Sequence, residues 1–187
     1  YLLGMAKIKG KVKILLDISN GRLSTDKKVY VRGVSFEGGG AGAFSTVDGT
    51  IGANARVVLD SLDLRYAGAA DVEVGNGLTI VGLPLTISSN VRAYGNQADG
   101  LNYHKGATNN IEARFVELGC VSLGNGSTAN SNNNDNASTA HDDSRGIRLR
   151  TVGASSVGPV FADINTCKTW NIQCVSMGSA GAVGVYS

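Results

Sequence analysis

Apolar and polar residues alternate along this chain in short runs. Residues 7–20 read Lys-Ile-Lys-Gly-Lys-Val-Lys-Ile-Leu-Leu-Asp-Ile-Ser-Asn and close on the turn signal Asn20-Gly21. Val29-Tyr30-Val31-Arg32-Gly33-Val34-Ser35-Phe36 alternates again and ends in Glu37-Gly38-Gly39-Gly40. Arg56 to Tyr66 repeats the pattern and ends in Ala67-Gly68. A period of two, punctuated by glycine, is the signal of strands joined by turns. No segment sustains apolar positions at helical spacing over three turns, so many short strands and almost no α-helix are expected.

The strands repeat. Several end in a triplet, usually apolar-polar-apolar, with glycine close behind: Val34-Ser35-Phe36, Leu62-Asp63-Leu64, Val91-Arg92-Ala93, Val121-Ser122-Leu123, Arg148-Leu149-Arg150 and Val175-Ser176-Met177. The glycines that follow, Gly38, Gly68, Gly95, Gly124, Gly153 and Gly178, differ by 30, 27, 29, 29 and 25 positions. Cys120-Val121-Ser122-Leu123-Gly124 matches Cys174-Val175-Ser176-Met177-Gly178 closely. An imprecise repeat of this length marks a solenoid, in which like residues stack from coil to coil. A β-sandwich would also give short strands between turns, but it does not require self-similarity. The expected fold is all-β: one domain over residues 1–187, a right-handed single-stranded parallel β-helix of about six coils, the hand following the usual parallel crossover. Val58, Leu62, Leu64, Ile80, Val91, Val121, Leu149, Ile164 and Val175 are expected to point inward.

Composition narrows the function classes. The chain has 187 residues, enough for a sizeable core, with 26 Gly, 2 Pro and a formal net charge of +2. Low proline suits strands that must donate on both edges. The densest basic run, Lys7 to Lys13, alternates and reads as a solvated strand edge, so nucleic acid is not expected as a partner. No apolar run reaches membrane-spanning length, so no membrane insertion is expected. Three cysteines without a CxxC support neither a disulfide framework nor a zinc site, and neither metal nor cofactor is expected. Tyr1-Leu2-Leu3 and Gly184-Val185-Tyr186-Ser187 offer no cap to an open solenoid end, so the expectation is a segment of a longer chain.

The chemistry concentrates in two stretches. Asp99-Gly100-Leu101-Asn102-Tyr103-His104 and Ser138-Thr139-Ala140-His141-Asp142-Asp143 hold both histidines of the chain. On one flank of a solenoid they would form a carboxylate- and imidazole-lined surface of the kind that binds or cleaves carbohydrate. His104 and His141 are 37 positions apart, one coil plus part of an Asn/Ser-rich insertion at 124–144, which brings the two into near-register. That insertion is too polar to be core and reads as a loop. A calcium site in it is conceivable, but the glycine and acidic spacing of a calcium loop is missing.

Asp99-Gly100-Leu101-Asn102-Tyr103-His104, Ala137-Ser138-Thr139-Ala140-His141-Asp142 and Asp163-Ile164-Asn165-Thr166-Cys167-Lys168-Thr169-Trp170-Asn171, in this order, resemble right-handed parallel β-helix proteins of bacteriophage tailspikes and pectate-lyase-like bacterial proteins. The likeness is best over residues 56–176. It implies a virion-tail or extracellular protein that binds a bacterial surface glycan. It also implies a homotrimer, contact with other virion tail proteins, and polysaccharide hydrolase or lyase activity if the protein is an enzyme. The hydrolases of that family commonly use paired acids, and the lyases Tyr, His and a basic partner.

The candidate acid/base groups are Asp99, His104, His141 and Asp142. A carboxylate pair across a sugar ring would sit roughly 5–9.5 Å apart. Asp99 before glycine is equally a turn former. Tyr103 and His104 are neighbours on a strand and face opposite sides, which makes Tyr103 the core residue and leaves His104 with Asn102 on the surface. Candidate substrate-binding residues are Asn102, Tyr103, Asp143, Arg145, Asp163, Asn165 and Trp170. Trp170 either stacks on a sugar or fills the core beside Ile172. The alternative to a glycan-active protein is a non-catalytic structural or adhesive solenoid of a virion or extracellular fibre.

Overall fold

A computed structural model describes residues 28–38, 54–68, 75–126, 136–154 and 158–178 in full. It describes the backbone alone of strand residues 2–9, 14–17, 44–47, 155 and 185–186. In chain order the strands begin with β1 (Leu2–Lys9), β2 (Ile14–Asp17), β3 (Lys28–Glu37), β4 (Phe44–Val47), β5 (Arg56–Asp60) and β6 (Asp63–Arg65). They continue with β7 (Leu78–Val81), β8 (Leu85–Ser89), β9 (Arg92–Tyr94), β10 (Leu101–His104), β11 (Arg114–Leu118) and β12 (Val121–Asn125). The last are β13 (Ser138–His141), β14 (Arg145–Leu149), β15 (Val152–Ser155), β16 (Phe161–Ile164), β17 (Lys168–Ile172), β18 (Val175–Met177) and β19 (Val185–Tyr186). No helix occurs among the described residues.

Every strand pairing is parallel, and each strand pairs with the strand one repeat away rather than with its chain neighbour. The strands form a seven-stranded sheet and a twelve-stranded sheet. In the larger sheet β5, β8, β11, β14 and β17 make one face and β6, β9, β12, β15 and β18 the next, with β3 contributing to both. This topology is consistent with a β-solenoid, and the antiparallel ladders of a sandwich are absent among the described residues. The long polar insertion is shorter than the sequence suggests: β12 runs to Asn125 and β13 begins at Ser138, so residues 124–144 are in part ladder. Residues 127–135 of that stretch lie outside the described residues.

Columns of unusual backbone hold the bends. Ser61, Asn90, Gly119, Arg150 and Gln173 all have φ between 51° and 60° and stand at the junction between the two faces of the larger sheet. The left-handed conformation costs a non-glycine residue about 1–2 kcal/mol, and stacked hydrogen bonds offset it, such as Ser61 N to Ser89 O and Asn90 N to Leu118 O, both 2.9 Å. An asparagine ladder fixes the following corner. Asn96 Nδ2 donates to Asn125 Oδ1 at 2.8 Å, and Asn96 Oδ1 accepts from Ala67 N at 2.9 Å. Both asparagines are buried.

The interior changes character along the stack. Leu59, Leu62, Leu64, Leu78, Ile80, Val91 and Leu101 fill it with aliphatic side chains in the early coils. Further on, the column that holds Val31 and Leu59 continues through Ser88, Glu117, Arg148 and Asn171. Arg148 is fully buried. Its Nε donates to Ser138 Oγ at 2.8 Å, and its Nη1 donates to Asp163 Oδ1 at 3.3 Å and Thr169 Oγ1 at 3.0 Å. Glu117 lies 3.9 Å from Arg148 Nε and accepts hydrogen bonds from Ser138 (2.6 Å) and Thr151 (3.1 Å). Burial pushes the Glu117 carboxyl above its usual range despite these partners.

Of the residues expected inward, Leu62, Leu64, Ile80 and Val91 are buried. Val58, Val121, Leu149, Ile164 and Val175 are not: Val175 is 50% exposed and the others are intermediate. The error is one of register. Val121 pairs with Arg92, not with Val91, and the inward position is Ser122. A one-residue slip exchanges the two sides of a strand. The outward columns Val58–Ile87–Val116–Ile147–Trp170 and Leu118–Leu149–Ile172 are therefore apolar, over an interior that holds charge.

Candidate functional site

β10 and β13 pair with Leu101 opposite Ser138 and His104 opposite His141. Leu101 and Tyr103 point inward, so His104 and His141 stand on the outer side, flanked in their column by Val81 and Ile164. Parallel register puts the rings about one strand spacing apart, ~4.8 Å. They stack, with centroids 4.2 Å apart and planes 7° from parallel. Desolvation lowers the pKa of both imidazoles. His141 falls to about 4, burial acting first and the neighbouring His104 second. At neutral pH the pair is uncharged, and each ring offers one donor and one acceptor.

The corner after these strands carries the charge. Asp142 Oδ2 lies 3.7 Å from His104 Nδ1. Asp142 and Asp143 both take left-handed backbone, as do Asn165 and Thr166 one coil on, so the two corners stack. Asn165 Nδ2 donates to Asp142 Oδ1 at 2.9 Å, and the Thr166 hydroxyl donates to Asp143 Oδ1. Lys105 Nζ donates to Asp143 Oδ2 at 3.1 Å. The Thr166 hydroxyl, then Lys105, hold the Asp143 carboxyl below its usual pKa. The result is an outward patch, three coils deep, of two neutral imidazoles, two carboxylates, an amide, a hydroxyl and an ammonium. Lys105 and Thr166 were missed in the sequence, although each adjoins a residue that had been singled out.

The other expected site residues lie elsewhere. Asp99 sits at the opposite end of β10 from His104, five residues or about 16 Å along the strand. It is buried, accepting from Asn102 Nδ2 and from Asn136 N, each at 2.6 Å. It acts as a corner former and does not join the imidazoles. Tyr103 is fully buried, stacked on Phe115 at 3.9 Å between centroids, with its hydroxyl 3.2 Å from Ser88 Oγ. It packs the interior and cannot meet a surface ligand. Asn102 shares the outer side with His104 but is only 5% exposed. Its Oδ1 and the Oγ1 of its register partner Thr139 are buried with no hydrogen-bond partner. Asp163 points inward to Arg148 and Thr169. Arg145 is exposed and donates to Glu112 Oε1 at 3.0 Å. Trp170 is 64% exposed on the larger sheet, a different face from the imidazoles.

No protein-family model matches this chain, nor does any curated protein or any solved structure.

Proposed function

We propose that this chain is a glycan-binding β-solenoid of tailspike type, right-handed and of about six coils, which engages a bacterial surface polysaccharide through the flank that carries His104 and His141. The observation that carries the reading is the stacked, uncharged imidazole pair beside Asp142 and Asp143. Sugar hydroxyls need donors and acceptors side by side on an accessible surface, and a rigid ladder pre-orders them at little entropic cost. Binding is favoured over cleavage. A general acid must be protonated at working pH, and burial lowers the pKa of both imidazoles, which leaves them only the role of base. Asp99 is buried at the far end of the strand, and the Asp142 and Asp143 carboxylates are engaged by Asn165 and by Thr166 and Lys105.

The setting proposed is a virion tail or the cell exterior, and the assembly a homotrimer. The outward apolar columns support assembly between copies.

The test is retention of the intact protein on an array of capsular and lipopolysaccharide glycans, with reducing ends and unsaturated uronates followed in parallel. Retention without product is the expected result. Turnover would establish a depolymerase, and no retention on any glycan would sink the reading.

A further inference from the structure

Two of the buried side-chain oxygens that lack a hydrogen-bond partner are register neighbours. They are Asn102 Oδ1 on β10 and Thr139 Oγ1 on β13, on the outer side of the smaller sheet. Asn102 is 5% exposed and Thr139 is fully buried. A buried polar atom left without a partner carries its full desolvation penalty, so two in adjacent positions call for a cause.

The column itself shows why partners run out. One rung before Asn102 stands Thr79, whose hydroxyl accepts from Asn76 Nδ2 at 3.1 Å. One rung after Thr139 stands Ala162, which has no polar side-chain atom to offer. Asn76 is the corner residue three positions ahead of Thr79, and Asp99 holds the same place ahead of Asn102. The two corners stack, with Asp99 N donating to Asn76 Oδ1 at 2.9 Å. A carboxylate only accepts. The Asn102 amide therefore turns Nδ2 onto Asp99 Oδ2, 2.6 Å away, and its own Oδ1 is left without a donor. Asp99 Oδ1 accepts from Asn136 N at 2.6 Å, so the carboxylate spans the rungs of β10 and β13.

The locus thus combines a buried negative charge with two oxygens that have no donor, which is the environment of a cation. All-oxygen donors select a hard ion. No group of three histidine, cysteine or carboxylate side chains that could hold a metal occurs among the described residues, so a transition metal has no ligand set here. One carboxylate with two neutral oxygens balances one positive charge. A divalent ion would leave a buried positive charge uncompensated.

We propose that Asn102 Oδ1 and Thr139 Oγ1 bind a single alkali cation, sodium or potassium, with Asp99 as its counter-charge. The ion ties β10 to β13. His104 and His141 follow two residues later on the same strands and the same side, so the ion also steadies the strands that carry the imidazole pair. A trapped water would serve the two oxygens equally, but it brings no charge to Asp99. The site stands independently of the glycan reading.

Thermal melts of the intact chain test it, in sodium, potassium and choline chloride at equal concentration, with calcium chloride at matched ionic strength beside them. One of the two alkali salts should raise the melting temperature over choline by about 2 °C or more. T139V keeps the side-chain shape and removes the oxygen, so it should abolish that difference. In choline T139V should melt no lower than the wild type, because an orphaned hydroxyl has gone. D99N should lose the alkali preference too, since asparagine already serves this corner one rung earlier at Asn76. Equal melting in all three monovalent salts would overturn the cation and leave the water. A rise specific to calcium would overturn the monovalent assignment. An alkali preference that survives in T139V, or a T139V that melts lower than the wild type in choline, would overturn the site.

Discussion

Arg148 is the residue with most at stake in the fold. A guanidinium with no solvent contact is tolerable only because Glu117, Ser138, Asp163 and Thr169 take up its charge and donors, and Phe115 and Phe161 lie 5.3 and 5.5 Å from it. Truncating one member of a buried pair leaves the other uncompensated. Arg148→Ala should therefore cost about 3–5 kcal/mol in urea unfolding, and Glu117→Leu with Arg148→Met together should cost less than Arg148→Ala alone. The imidazoles give a pH dependence of definite sign. His141 has a folded pKa of about 4, below its unfolded value near 6.5, so the unfolded chain takes up the proton first. Stability should fall as pH drops from about 6.5 towards 4, and His141→Gln should flatten that slope in melts across the window. A slope unchanged by the substitution would mean that the ring is not desolvated by its stack.

At the scale of the strand, the interior is matched rung by rung. Gly146 faces Phe115 across β11 and β14, and a Cβ there would meet the Phe115 ring at 2.4 Å. Gly146→Ala should cost about 1–3 kcal/mol by overpacking, and Phe115→Leu in the same chain should recover part of it. A neutral Gly146→Ala in thermal melts would put the ring elsewhere. This matching also explains what the residue pattern conceals. Alternation announces a strand, but which of its two sides is inward follows only if the inward side is the apolar one. In β11, Phe115 and Glu117 face in while Val116 and Leu118 face out, and in β14 Arg148 is inward and Leu149 outward. Alternation therefore misplaces Val121 and Leu149, while at Val58 three apolar residues run together, Val57-Val58-Leu59, and alternation picks no side. The early coils follow the simpler rule, and Leu62, Leu64, Ile80 and Val91 were legible there. The Asn96–Asn125 ladder was legible in principle, as two asparagines 29 apart, each directly after a repeat glycine.

For the molecule as a whole, the repeat was the most legible feature, because stacking demands that like positions recur. Glycine spacing and the Cys120/Cys174 match reported it: both cysteines fall in one column, with Thr151 between them. The imidazole pairing was legible from the 37-residue separation once the insertion was set aside. The place of Asp99 was not, since a carboxylate before glycine serves a corner as readily as a site. The outward apolar columns predict assembly: the intact protein should sediment as a trimer, and Ile147→Asp should shift it towards monomer without changing its circular dichroism. A wild-type monomer would leave those columns without a partner of their own kind.

Contact between the stacked imidazoles and a glycan is what makes this flank a binding surface. The chain has only two histidines, so its imidazole resonances are few enough to assign by single substitution. The decisive measurement is the nuclear magnetic resonance spectrum of those rings, titrated with a glycan that the protein retains on the array. Both His104 and His141 signals should move together and saturate at the binding stoichiometry, with Asp142→Ala weakening the response by about tenfold. If the glycan binds and neither ring responds, the imidazole flank is not the binding surface.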